Sequence, residues 1–202
     1  MITRKQAISI VAEHWNKSIL QDGDEFHPSS VELPEECDFW VIHGNSKAYL
    51  VDGDHQRLAV GEGGYVVDAD TGALEIAGSA QDVLDILQDC RDDKVANGKN
   101  YVLAGGTGSR AFHEISAFRK VFACGVHRAR EMLKAPERYW FTGKRRLLVS
   151  YQAEFEALDI PSEVILLDDV SDVITINWSS RFKWDLQSLS NRIQSVQSDK
   201  AK

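Results

Sequence analysis

Apolar residues first fall into register at the N-terminus, where Ile8, Val11, Ala12 and Trp15 recur at three- and four-residue spacings. That pattern predicts a helix with one buried face, and Thr3 stands at its N-cap. Residues 21–38 are polar, contain two prolines and read as a long loop. "FWVIHG" (39–44) and "KAYLVDG" (47–53) are rich in aromatic and β-branched residues and predict strands joined at Asn45-Ser46. "HQRLAVGEGG" predicts a third short strand. "YVVDADTGALEIAG" predicts a hairpin turned by Asp70, Thr71 and Gly72. "SAQDVLDILQDC" then returns to the helical period, with Val83, Ile86, Leu87 and Cys90 on one face. Ser79 and Asp82 resemble a capping box there, with Asp in place of Glu.

The pattern pauses at the polar segment 93–100, which reads as a linker. It resumes with a strand, "YVLA", a glycine loop, "GGTGSR", and a helix carrying Ile115, Phe118, Val121 and Phe122. Gly125 breaks it, and a second helix places Val126, Ala129, Met132 and Leu133 inward. "RYWFTG" is strand-like, and a helix with Ala153, Phe155, Leu158 and Ile160 follows. "PSEVILLDDV" and "VITINW" are strands, and Leu186, Leu189, Ile193 and Val196 form a narrow helical stripe. The class expected is α+β. Residues 1–92 give an N-terminal helix, an antiparallel sheet and a closing helix. Residues 101–202 give a second small α/β domain of β-α-α-β-α-β type with a C-terminal strand and helix.

Composition narrows the function. The chain has 202 residues, 43% of them hydrophobic, enough for a core without disulfides or metals. A formal charge of −8 argues against direct nucleic-acid binding and for a basic partner. Three cysteines without a CxxC fit a reducing, cytoplasmic setting. The first fifteen residues carry Glu13 and His14 and are not a signal peptide, and no apolar run is long enough for a membrane span.

Candidate chemistry is sparse. The glycines at 61, 63 and 64 precede a strand rather than a helix, and Glu62 would repel phosphate, so a turn or bulge is expected there. The loop 105–110 does lie between strand and helix, and Arg110 could meet an anion, yet its glycines do not fit GxGxxG. The six histidines form no metal-ligand spacing, no serine sits in GxSxG, and Cys124 beside His127 reads as core filling. Lys144-Arg145-Arg146 reads as a solvated strand end. No catalytic residue, cofactor or metal is expected, and the chain is read as a non-enzyme. An anion- or nucleotide-binding enzyme or regulator using the 105–110 loop stays open as an alternative, as does a protein–protein adaptor.

Residues 1–92 resemble the immunity protein 35 family. The markers are Trp40, Gly61, Gly63, Asp68, Thr71 and Gly72, with Val67 between them. Gly64 departs from that pattern, where proline is common. The resemblance implies an immunity protein that binds and blocks a cognate toxin domain of a bacterial polymorphic-toxin system. Residues 100–168 are similar, more loosely, to the C-terminal domain of the bacterial ribosomal stalk protein, through Gly125, Val126, Ala129, Arg130, Glu131, Met132 and Leu133. That second resemblance implies shape only. If the toxin cleft is basic, Asp52, Asp54 and Glu62, or Asp168, Asp169 and Asp172, are the acidic residues expected to meet it.

Overall fold

A computed structural model describes residues 1–19, 24–106, 112–121, 124–134, 138–171 and 173–177. The chain divides into two compact units, Met1–Arg91 and Asp92–Lys202. Both mix helices with sheets, an α+β architecture.

In the first unit α1 (Arg4–Ser18) starts on a complete capping box. The Thr3 hydroxyl accepts from the Gln6 amide at 3.3 Å, and the Gln6 side chain accepts from the Thr3 amide at 2.8 Å. Four antiparallel strands follow in the order β1 (Phe26–Glu32), β2 (Phe39–Ser46), β3 (Glu62–Asp68) and β4 (Leu74–Gly78). Alternation splits their side chains between two faces. Ile42, Tyr65 and Val67 pack under Ala7, Val11 and Trp15 of α1. Phe39, Val41, Val66 and Ala77 pack on Val83 and Leu87 of α3 (Val83–Ala96). The sheet is thus covered by a helix on each face, and the turn at 70–72 closes as expected. Asp68 is buried and accepts from the amides of Asp70 and Thr71, each at 2.8 Å, while Gly72 takes φ +76°.

Four expectations fail here. The loop at 21–38 contains β1, an edge strand whose alternate residues face solvent, which leaves it too polar to read as a strand. "KAYL" is one helical turn, α2 (Lys47–Leu50), capped by the Ser46 hydroxyl. The next segment makes a 3-10 turn (His55–Arg57) instead of a strand. The closing helix begins after Asp82, whose carboxylate accepts from the Leu84 amide at 2.9 Å, so Asp82 and not Ser79 caps it.

The segment 93–100 is not a linker. The helix α3 runs to Ala96, and the division between the units falls within it. Its last turn belongs to the second unit: Ala96 enters that core, and the Tyr101 hydroxyl donates to the Asp92 carbonyl at 2.9 Å.

The second unit runs β5 (Asn100–Gly105), α4 (Phe112–Val121), α5 (Val126–Met132), β6 (Tyr139–Thr142), α6 (Arg145–Glu156), β7 (Ser162–Leu167) and β8 (Ile174–Thr175). This is the β-α-α-β-α-β order with one added short strand. The sheet order is β7-β5-β6-β8, antiparallel except for the β6–β8 pair. Its core gathers Phe118, Met132, Leu133, Trp140, Leu148 and Phe155. Val126, expected inside, is 41% exposed because it opens its helix. The stripe at 186–196 and the side chains of Val121 and Phe122 lie outside the described residues.

Candidate functional site

The segment 46–60 leaves the sheet after β2 and returns to it before β3. Its two ends are tied together at the base. Asn45 accepts from the Ala59 amide and donates to the Ala59 carbonyl, both at 3.0 Å. The buried Ser46 hydroxyl donates to the Arg57 carbonyl at 2.9 Å and accepts from the Tyr49 amide at 3.1 Å. Within the loop, Val51 closes the α2 turn on Lys47, and the Asp54 amide donates to Ala48. The Asp54 carboxylate caps the 3-10 turn through Gln56 at 3.0 Å. Asp24 braces the outside, accepting from the amides of Glu25 and Ala48. Burial pushes the Asp24 carboxyl up, but these donors, the Ser46 hydroxyl and Arg57 outweigh it and hold the group below its ordinary range. The result is a compact Ω-type loop whose backbone is fixed by its own hydrogen bonds.

What this loop displays is apolar. Leu50 and Leu58 are exposed, Val51 is 55% exposed and Val60 is 83% exposed. Asp52 and Asp54 are also exposed and stand in the same loop. The sequence predicts two strands in this stretch, and the exposed apolar residues lie instead in the loop that replaces them.

Glu62 has a different role from the one expected. It is not a free acid at a tip. His14 of α1 approaches Glu62 Oε1 with Nε2 at 2.9 Å, and the Tyr65 hydroxyl donates to Oε2 at 2.7 Å. Trp15 Nε1–H in turn donates to the Tyr65 hydroxyl oxygen at 2.5 Å. Burial, followed by the neighbouring Glu62 charge, pushes the Tyr65 hydroxyl well above its ordinary range, so it stays a donor. Gly61 at φ +109° and a register shift between Glu62 and Gly64 form the bulge that turns this carboxylate inward. Glu62 is thus the anchor of the loop's exit, fixed to the helix layer. Replacing Glu62 with Gln should lower stability by about 1–3 kcal/mol, since Tyr65 and His14 lose their charged acceptor. An unchanged urea midpoint for that variant would remove Glu62 from the anchoring role.

The other acids lie in the second unit. Asp168 follows β7, is exposed and pairs with Lys99 at 3.6 Å. Asp169 accepts from the Ser171 amide at 2.9 Å, and these Ser171 hydrogen bonds hold its carboxyl below the usual range. Asp172 lies outside the described residues. The two groups of acids belong to separate units. Charge is divided in the same way: residues 1–91 hold 6 Lys/Arg against 17 Asp/Glu, a formal −11. Residues 92–202 hold 17 against 14, a formal +3.

The glycine loop at 105–110 loses its case at the two glycines described. The Gly105 amide donates to the Arg138 carbonyl at 2.7 Å and the Gly106 amide to the Pro161 carbonyl at 2.6 Å, so neither faces an anion. Residues 107–110, Arg110 included, lie outside the described residues. The basic run is partly paired: Lys144 meets Asp93 at 2.6 Å and Arg145 approaches Asp92 at 4.0 Å. Cys124 is half-buried against the core, and that burial pushes its thiol up, the reverse of an activated nucleophile.

Comparison with family models, with curated proteins and with solved structures finds no match to this chain. Among the described residues no group of three or more His, Cys, Asp or Glu is placed to hold a metal ion. No described helix is long and apolar enough to cross a membrane.

Proposed function

We propose that this chain is an immunity protein, a binding protein that neutralises a cognate bacterial toxin domain by occluding its active site. The acidic first unit makes the contact, and the loop 46–60 is its centre. One observation carries this reading: a loop fixed by its own hydrogen bonds holds Leu50, Val51, Leu58 and Val60 out in solvent beside Asp52 and Asp54. A fixed loop loses little conformational entropy on binding, which leaves more of the contact energy as affinity. Apolar residues at the middle of a contact supply most of that energy, and charges at its rim set approach and specificity. The formal −11 of residues 1–91 suits a partner whose cleft is basic, as a cleft that acts on nucleic acid or nucleotides must be.

The experiment is co-production with the toxin domain encoded beside it. The full chain should restore growth and co-purify with that domain. Growth arrest despite the chain, together with no complex, contradicts the reading. Within the complex, reversing Asp52 to Lys should slow association about threefold or more at low salt and change dissociation little, with the Asp54 cap left in place. An on-rate unaffected by that reversal would move the contact away from this loop.

A further inference from the structure

We infer that the open trough between α4 and the turn joining α6 to β7 is a peptide-binding site. Its occupant is a segment of a partner protein that carries an apolar anchor between a cationic and an anionic side chain.

The trough encloses about 690 Å³. Its first wall is the face of α4 turned away from the core. Ile115 and Phe118 take the inner face, which leaves Phe112, Ser116 and Lys120, four residues apart, in line along the trough, with His113 beside them. At about 1.5 Å per residue that line is roughly 12 Å long, the span of three or four extended residues. The opposite wall is Glu156, Leu158 and Asp159. Apolar surface lies open on both sides: Phe112 is 87% exposed and Leu158 is 44% exposed. Sites for small molecules enclose most of the ligand, whereas a trough open along its length suits an extended chain.

Charge distinguishes the two walls of the trough. The α4 wall is cationic through Lys120, and the opposite wall is anionic through Glu156 and Asp159. Glu156 is held by Gln152 at 2.9 Å. Lys120 and Asp159 make no side-chain hydrogen bond or ion pair among the described residues. Asp159 is also unneeded by the fold. It ends α6 at φ +57°, where Ile160 donates back to the Phe155 carbonyl at 2.9 Å. That is the position at which glycine is least strained. A carboxylate there contributes nothing to the cap and is available to a ligand.

This site lies in the second unit, so its failure would leave the toxin reading standing. The test selects a displayed library of random peptides, about 12 residues long, on the full chain. Enriched peptides should share an apolar anchor flanked by one Lys or Arg and one Asp or Glu. A synthetic peptide of that sequence should bind, and Lys120→Glu and Asp159→Gly should each weaken it about fivefold or more. Asp159→Gly should keep or raise the melting temperature, which separates lost binding from lost structure. Exchanging the peptide's acid for Lys should restore binding to Lys120→Glu. The proposal is overturned by no enrichment, by enriched peptides without that charge pair, or by parent-like affinity in both variants. It is also overturned if binding requires removal of residues 178–202, since the trough then belongs to the chain's own tail.

Discussion

Replacing Trp15 with alanine should destabilise the first unit by about 3–5 kcal/mol, most of what a domain of this size has to lose. The indole is 2% exposed and sits where α1 meets the sheet. Its ring lies 5.1 Å from Phe26 and 6.4 Å from Tyr65, so truncation empties an aromatic cluster as well as a cavity. It also leaves the Tyr65 hydroxyl without the Trp15 donor, and that hydroxyl in turn serves Glu62 at the loop exit. The two units need not unfold together, so a local readout is preferable. Amide exchange in β3 should accelerate about 100- to 1,000-fold or more. Protection within about fivefold of the parent would show that the cluster does not hold this layer. Alanine at the exposed Phe112 is the control and should change stability by no more than about 0.5 kcal/mol.

The second large effect is expected at Gly105, where alanine should cost about 3 kcal/mol, the upper end for overpacking. A Cβ there would run into the Trp140 ring at Cζ2. Trp140 cannot withdraw easily: it is 2% exposed, with Phe118 at 5.3 Å and Phe155 at 5.1 Å. No left-handed φ is involved at Gly105, so the clash alone is the cause. Combining Gly105→Ala with Trp140→Phe should therefore recover part of the loss, a favourable coupling of about 1 kcal/mol or more. Strictly additive losses in the urea midpoints would place the cause of the glycine elsewhere.

Much of this fold was legible because its signals are local. Thr3 marks the first cap, and Asp70, Thr71 and Gly72 mark the hairpin turn. The inward faces of α1 and α3 follow from spacing alone. The errors cluster where the third dimension decides. Strand β1 is half solvated at a sheet edge, and Pro28 borders its register shift, so it looks like a loop. The last turn of α3 is polar, yet Asp92 is buried there beneath Tyr101 and Asp93 meets Lys144, contacts no local pattern announces. The site divides the same way. Asp52 and Asp54 could be chosen from sequence, as acids in a turn-rich stretch. Glu62 could not be assigned correctly, because its partner His14 is 48 residues away. The exposed valines were not singled out because β-branched residues there read as strand, whereas the pinned ends of 46–60 hold the stretch as a loop.

On the proposed reading, the loop 46–60 meets the toxin through its exposed apolar residues. The most direct measurement is the affinity of the full chain for the co-encoded toxin domain, comparing the parent with Val51→Asp/Val60→Asp. Both positions are already in solvent, so the folded state should be retained within about 0.5 kcal/mol. The affinity should fall about 100-fold or more, chiefly through faster dissociation. A double variant that is folded, and binds the toxin as tightly as the parent, would show that this loop is not the contact.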